Sequence, residues 1–182
     1  NLNRWLAEQG YLVLRGPEAG PKDLRQFFTR GNLGLSAIDW SRTRAVAMGL
    51  EHIFLNVKGR RPEGIVEPGD VRALRQQIAA GLLALRNDFV PGEAPVSRVF
   101  FLHEEYHGPF TEEAGDIQVG FAPGYRVSWQ TALVGGASDS VIERNDRPWS
   151  GDHCSTDPAR VLGVVLASRP LRAAPPERHH HV

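Results

Sequence analysis

The string Trp149-Ser150-Gly151-Asp152-His153-Cys154 places an Asp–His pair in a glycine-containing loop shortly before an apolar run. A neutral imidazole binds Zn²⁺ through one ring nitrogen, while a carboxylate beside it joins the ligand set or orients the ring. Such a pair can hold a metal or a phosphate-bearing substrate. It can equally be a turn-forming Asp beside a surface His. Cys154 has no identifiable base for nucleophilic work and reads as a buried, inert thiol.

A second cluster, His103-Glu104-Glu105-Tyr106-His107-Gly108, joins two imidazoles to two carboxylates. Acid–base chemistry or a metal nest is conceivable there. The competing reading is a helix start, with acids at its positive end and Tyr106 packed beneath. A third cluster, Asn56-Val57-Lys58-Gly59-Arg60-Arg61-Pro62-Glu63-Gly64, sets three cations around a glycine turn. Cations at a strand's C-terminal end can meet a phosphate, although the Gly/Lys/Ser spacing of a P-loop is missing. A solvated basic turn is the alternative.

The elements that must position these residues follow from periodicity. Asn3 to Gln9 reads as a short helix with Gly10 placed to end it. Tyr11 to Leu14 reads as a strand, and Lys22 to Arg30 as a helix broken by Asn32 to Gly34. His52 to Lys58 has the apolar, β-branched character of a buried strand. Val71, Leu74, Ile78, Leu82 and Leu85 recur every three or four residues, which predicts a helix from Asp70 to Arg86 with one buried stripe. Strands are expected over Val96–Leu102, Asp116–Ala122, Tyr125–Gln130 and, buried on both faces, Val161–Ala167. Leu133 to Pro148 reads as a surface excursion. Helices between strands predict an α/β chain with a mixed sheet.

Composition narrows the function classes. The 182 residues carry 21 Lys and Arg against 21 Asp and Glu, so the net charge is zero. That argues against a nucleic-acid polymer or anionic membrane as a partner held by bulk charge. No apolar run approaches the ~20 residues that span a bilayer. One cysteine excludes an intrachain disulfide framework. The length suits one domain or a large piece of one. Both ends read as cut, and His179, His180 and His181 read as tag or tail, outside site reasoning.

Taken in order, several blocks resemble the type I phosphodiesterase/nucleotide pyrophosphatase family of the alkaline phosphatase superfamily. They are Ile38-Asp39-Trp40-Ser41-Arg42-Thr43-Arg44-Ala45, Ile53 through Val66, Glu104-Glu105-Tyr106-His107-Gly108-Pro109, Gly124-Tyr125-Arg126-Val127-Ser128 and Ser150-Gly151-Asp152-His153. Asn1-Leu2-Asn3-Arg4-Trp5-Leu6, followed by Gly10-Tyr11-Leu12, resembles the helix after that family's Asp-His-Gly metal motif.

The resemblance implies residues 1–172 as the C-terminal part of an alkaline-phosphatase-like domain, a mixed sheet flanked by helices, with 173–182 as a tail. It implies a two-metal hydrolase of phosphate esters, usually zinc-dependent, with nucleotides as a plausible substrate. Its Thr or Ser nucleophile and most ligands would precede Asn1. His153 matches the last metal-binding histidine. Asp152 falls at best behind the ligands, the Lys58–Gly64 turn and the Glu104–Pro109 block look like scaffold features of the family, and Arg60 or Arg42 could touch an anionic substrate. Family members often read His-Arg after that histidine, whereas Cys154-Ser155-Thr156-Asp157-Pro158 stands here. On this reading the 182 residues alone are inactive. Two alternatives are a non-catalytic binding or scaffolding domain, and a small zinc hydrolase in which His103, His107 and His153 converge.

Overall fold

A computed structural model describes residues 1–16, 33–49, 51–134, 140–146, 157–161, 164 and 166–169. The first helix, α1 (Leu2–Glu8), begins where Asn1 Oδ1 accepts from the Arg4 amide at 3.1 Å, satisfying an N–H that has no partner within the helix. Leu2, Trp5 and Leu6 are buried on one side. Gly10, with φ of 72°, ends the helix in the left-handed conformation expected of it.

Tyr11 to Leu14 does not form the expected strand. It makes one antiparallel bridge, Leu14 to Ile38. The Thr43 hydroxyl takes up the Val13 N–H, and the Asp39 amide donates to the Val13 carbonyl at 2.8 Å. The segment's backbone groups are thus satisfied by an irregular loop rather than a sheet neighbour. A one-turn helix, α2 (Leu33–Ser36), stands in the region expected to be a break, and the helix expected over Lys22–Arg30 lies outside the described residues.

β1 (Ala45–Met48) and β2 (His52–Leu55) form a hairpin. The chain then makes a 3₁₀ turn and α3 (Val71–Ala84), which begins and ends within two residues of the positions its stripe predicts. β3 (Val96–Phe101), the single turn α4 (Leu102–Glu105) and β4 (Ile117–Phe121) follow. The sheet order is β1-β2-β4-β3, and every pairing between these strands is antiparallel. Helices on a four-stranded sheet make the chain a mixed α and β structure. β2 and β3 run parallel to each other, since both lie antiparallel to β4, which is inserted between them. α3 is therefore the crossover of a split β-α-β arrangement.

Register puts Ala45, Ala47, Ile53, Leu55, Ile117 and Val119 on one face, all 0–1% exposed. Leu74, Ile78 and Leu82 of α3 join them in the core with Leu2, Trp5 and Leu6 of α1. Burying each such Leu or Ile stabilises by about 1.5–3 kcal/mol. α3 lies against β3 and α1 against β1.

Two further strand expectations fail. Tyr125 to Gln130 leaves a turn, with the Tyr125 amide donating to Ala122 O at 3.0 Å, and runs into a 3₁₀ segment at Trp129–Leu133. The Ser128 hydroxyl caps that segment by accepting from the Gln130 amide. Within 125–130 only Val127 is buried, so the alternating sequence does not produce a pleat. Within Val161–Ala167, the described Val161, Val164 and Leu166 are 49%, 83% and 93% exposed. A β-branched run becomes a buried strand only where a sheet edge receives it, and among the described residues no strand pairs beyond β1 or β3. The tail expected over 173–182 lies outside the described residues.

Candidate functional site

The third cluster is the best defined. β2 ends at Leu55, where its successor Asn56, 2% exposed, turns its amide inward. Asn56 Nδ2 donates to the carbonyls of Trp40, Thr43 and Glu63 at 3.0–3.1 Å. The Asn56 carbonyl accepts from the amides of Ile65 and Val66 at 2.9 Å. One buried side chain thereby clasps residues 40–43 to the loop over 56–66. The loop closes so tightly that a Cβ on Gly64 would stand 2.2 Å from the Val57 carbonyl oxygen.

The loop's three cations are each engaged within the protein. Lys58 pairs with Glu67. Arg61 lies over the Phe54 ring, 5.6 Å from its centroid. Arg60 donates to both carboxylate oxygens of Asp116, at 3.1 and 2.5 Å, and to Leu55 O at 2.8 Å. Asp116 sits just before β4 with its side chain fully buried. Its Oδ1 also accepts from Arg75 of α3 at 2.6 Å, and its Oδ2 from the Leu55 amide at 2.7 Å. Burial by itself would raise the Asp116 pKa. The Arg60 bond, the Leu55 amide, the Arg75 bond and the Arg60 charge outweigh it, so the carboxyl is held below its ordinary range.

The second cluster does not converge. His103 stands on α4 with its imidazole against Arg75, whose Nη1 lies 2.8 Å from Nδ1 and 3.2 Å from Nε2. A guanidinium at that distance occupies the ring's acceptor and repels a metal cation. Glu104 reaches the same imidazole at 3.6 Å. His107 is exposed, and Tyr106, expected beneath the helix, is 48% exposed instead. Among the described residues no group of three or more His, Cys, Asp or Glu could hold a metal ion. The described residues thus supply no zinc ligand set of their own, and no chemical step is drawn through one. His153, Asp152 and Cys154 lie outside the described residues. Arg42 is exposed.

Sequence reasoning missed Asp116 and Arg75 as the centre of this network. The signals were present. Asp116 opens a strand that is buried along its length. Arg75 stands four residues after Val71 and three before Ile78, on the buried side of α3, where a charge requires a partner.

A second concavity of about 840 Å³ opens among α1, the end of α3, the loop before β3 and the chain after β4. Trp5, Phe89, Tyr125 and Trp129 supply its aromatic walls. Arg126 lies over Trp129 and Arg144 over Phe89, with guanidinium-to-centroid distances of 5.7 and 5.5 Å. The Tyr125 hydroxyl donates to Glu93 and accepts from Asn87 Nδ2 at 2.5 Å, tying two loops together across the wall.

Compared with protein-family models, curated proteins and solved structures, the chain matches none. No helix among the described residues is long and apolar enough to cross a membrane.

Proposed function

We propose that this chain forms part of an alkaline-phosphatase-like, metal-dependent hydrolase of phosphate esters, related to the type I phosphodiesterases and nucleotide pyrophosphatases. Its sheet and helices would be one side of a larger mixed sheet, and His153 would supply one ligand to a divalent metal, zinc by the resemblance. The role of the described residues is structural support for that site. The observation that carries the reading is the Asn56 clasp. Two of the sequence blocks that resemble the family, Ile38–Ala45 and Ile53–Val66, are tied together by one buried amide. Strings that share a family's pattern far from its chemistry are explained when they hold a common loop in shape.

A second reading, a binding or scaffolding domain without catalysis, is favoured by the internal engagement of Lys58, Arg60 and Arg61. One experiment separates the two. The whole protein that contains this chain is supplied with zinc and assayed on a nitrophenyl phosphodiester. Hydrolysis that falls at least about a hundredfold in His153→Ala supports the hydrolase. Absence of hydrolysis in the parent protein, or unchanged hydrolysis in the variant, sinks it.

A further inference from the structure

The Asp116 network is unbalanced in two ways. Two guanidiniums, Arg60 and Arg75, meet one carboxylate in its ion pairs, leaving an excess positive charge where the arginine side chains are only 23% and 13% exposed. Among the described ion pairs Glu104 reaches His103 and neither guanidinium. Acceptors are short as well. Asp116 already accepts four hydrogen bonds, from Arg60 Nη1, Arg60 Nη2, Arg75 Nη2 and the Leu55 amide. That uses the ~four lone-pair sites of a carboxylate. Among the described residues, the Nε–H groups of both arginines remain buried without a partner.

A partly buried, uncompensated cation is costly unless a counter-anion joins it. Both forks are held by the same oxygen, Asp116 Oδ1, so their ordering is complete before any ligand arrives. Planar guanidiniums match the oxygen edges of phosphate two at a time. We propose that the Nη N–H groups of Arg60 and Arg75 not taken up by Asp116, Leu55 and His103 form a binding site for a phosphate-type oxyanion, with Asp116 as the fixed anchor behind them. His103 bounds the site beside Arg75. The anion is a free phosphate ion or the phosphoryl group of an ester. The site needs no metal and no residue of the 150–153 loop, so it stands or falls apart from the hydrolase reading.

The test follows the heat-unfolding midpoint of the 182-residue chain as inorganic phosphate replaces chloride at constant ionic strength. A saturating rise is expected. Arg75→Lys, which keeps the charge but loses the fork, is expected to weaken the apparent affinity about tenfold, and Arg60→Lys serves as the second variant should that protein fold poorly. Arg72→Lys, on the exposed side of the same helix, is expected to match the parent. Glycerol phosphate in a parallel series assigns the source. Binding equal to inorganic phosphate indicates a phosphoryl group, and weaker binding indicates the free ion. A rise that grows linearly without saturating reflects general exclusion of the salt and overturns the proposal. So does an apparent affinity unchanged in both Arg75→Lys and Arg60→Lys.

Discussion

The Asn3 side chain of α1 brackets the backbone of Ala47 in β1, accepting its N–H through Oδ1 and donating to its carbonyl through Nδ2, both at 2.8 Å. The same Nδ2 donates to Thr131 O at 2.7 Å, and Asn3 is fully buried. A primary amide here imitates the next strand. Among the described residues β1 is an edge strand, and its outward peptide group is satisfied by a side chain instead of a neighbour.

Asn3→Ala is therefore expected to leave buried donors and acceptors unpaired and to cost about 2–4 kcal/mol. Asn3→Asp keeps the acceptor but loses both donations, and is expected to cost at least as much. Urea unfolding of the two variants measures this. A loss below 1 kcal/mol for both, on the scale of an ordinary net hydrogen bond, would mean that the edge finds other partners.

Asp116→Asn removes a buried charge that holds two guanidiniums, and about 3 kcal/mol of stability is expected to go with it. The pH dependence has a defined sign. The folded carboxyl has a pKa below its ordinary 3.8, so the unfolded chain binds the proton more readily. The stabilisation is fully present above the ordinary carboxylate value and is lost as pH falls from there through the lower folded value. Chemical unfolding at stepped acidic pH checks this, with Asp116→Asn expected to show a shallower decline than the parent.

Gly64 and Gly59 belong to one loop but differ in what limits them. A Cβ at Gly64 would stand 2.2 Å from Val57 O, whereas Gly59, with φ of 81°, has open space around it. Gly64→Ala is expected to destabilise by about 3 kcal/mol or more through overpacking. Gly59→Ala carries only the backbone penalty of the left-handed region, about 1–2 kcal/mol. Comparing the two unfolding midpoints decides the order. Equal losses would refute the close approach.

The Tyr125 phenol has its pKa raised, first by the bond to Glu93, then by burial and the Glu93 charge, against an opposing effect from Asn87. Its neutral form is favoured in the folded protein, so the associated stabilisation is present below the ordinary value of 10.0 and is lost as pH rises through the higher folded value. Ultraviolet titration is expected to show this phenol ionising above its ordinary 10.0. Glu93→Gln is expected to lower that midpoint.

What could be read before the structure was known followed local periodicity. The α3 stripe, the strands at His52, Val96 and Ile117 and the Gly10 stop all depend on spacing within a dozen residues, and each appears within a few positions of its expectation. The misses depend on partners distant in sequence. Tyr11–Leu14 has strand composition but meets Thr43 and Asp39 instead of an open edge. Val161–Ala167 has the strongest strand composition of all, yet its described residues are exposed. The site divides in the same way. The Lys58–Gly64 cations were visible as a group, but their partner, Asp116, is 56 positions from Arg60. No spacing rule reaches that far. The His103–His107 cluster suggested convergence because the residues are close in sequence, and the Arg75 guanidinium shows why proximity along the chain was misleading.

Asp116 joins pieces that are 61, 56 and 41 positions away from it, at Leu55, Arg60 and Arg75. The β1–β2 hairpin, by contrast, closes across a three-residue turn. These differences in loop length give the molecule an order of disassembly. Protonating one carboxyl loosens α3, the basic loop and the start of β4 together, while the hairpin, bracketed by Asn3, keeps its own bonds. As pH falls through the lowered folded value of Asp116, the first opening is thus expected to be a hinged separation of the α3 side from the α1 side. Amide exchange in Ala45–Phe54 would outlast exchange in Val71–Ala84, so that one ion divides the chain into an early-yielding and a late-yielding half.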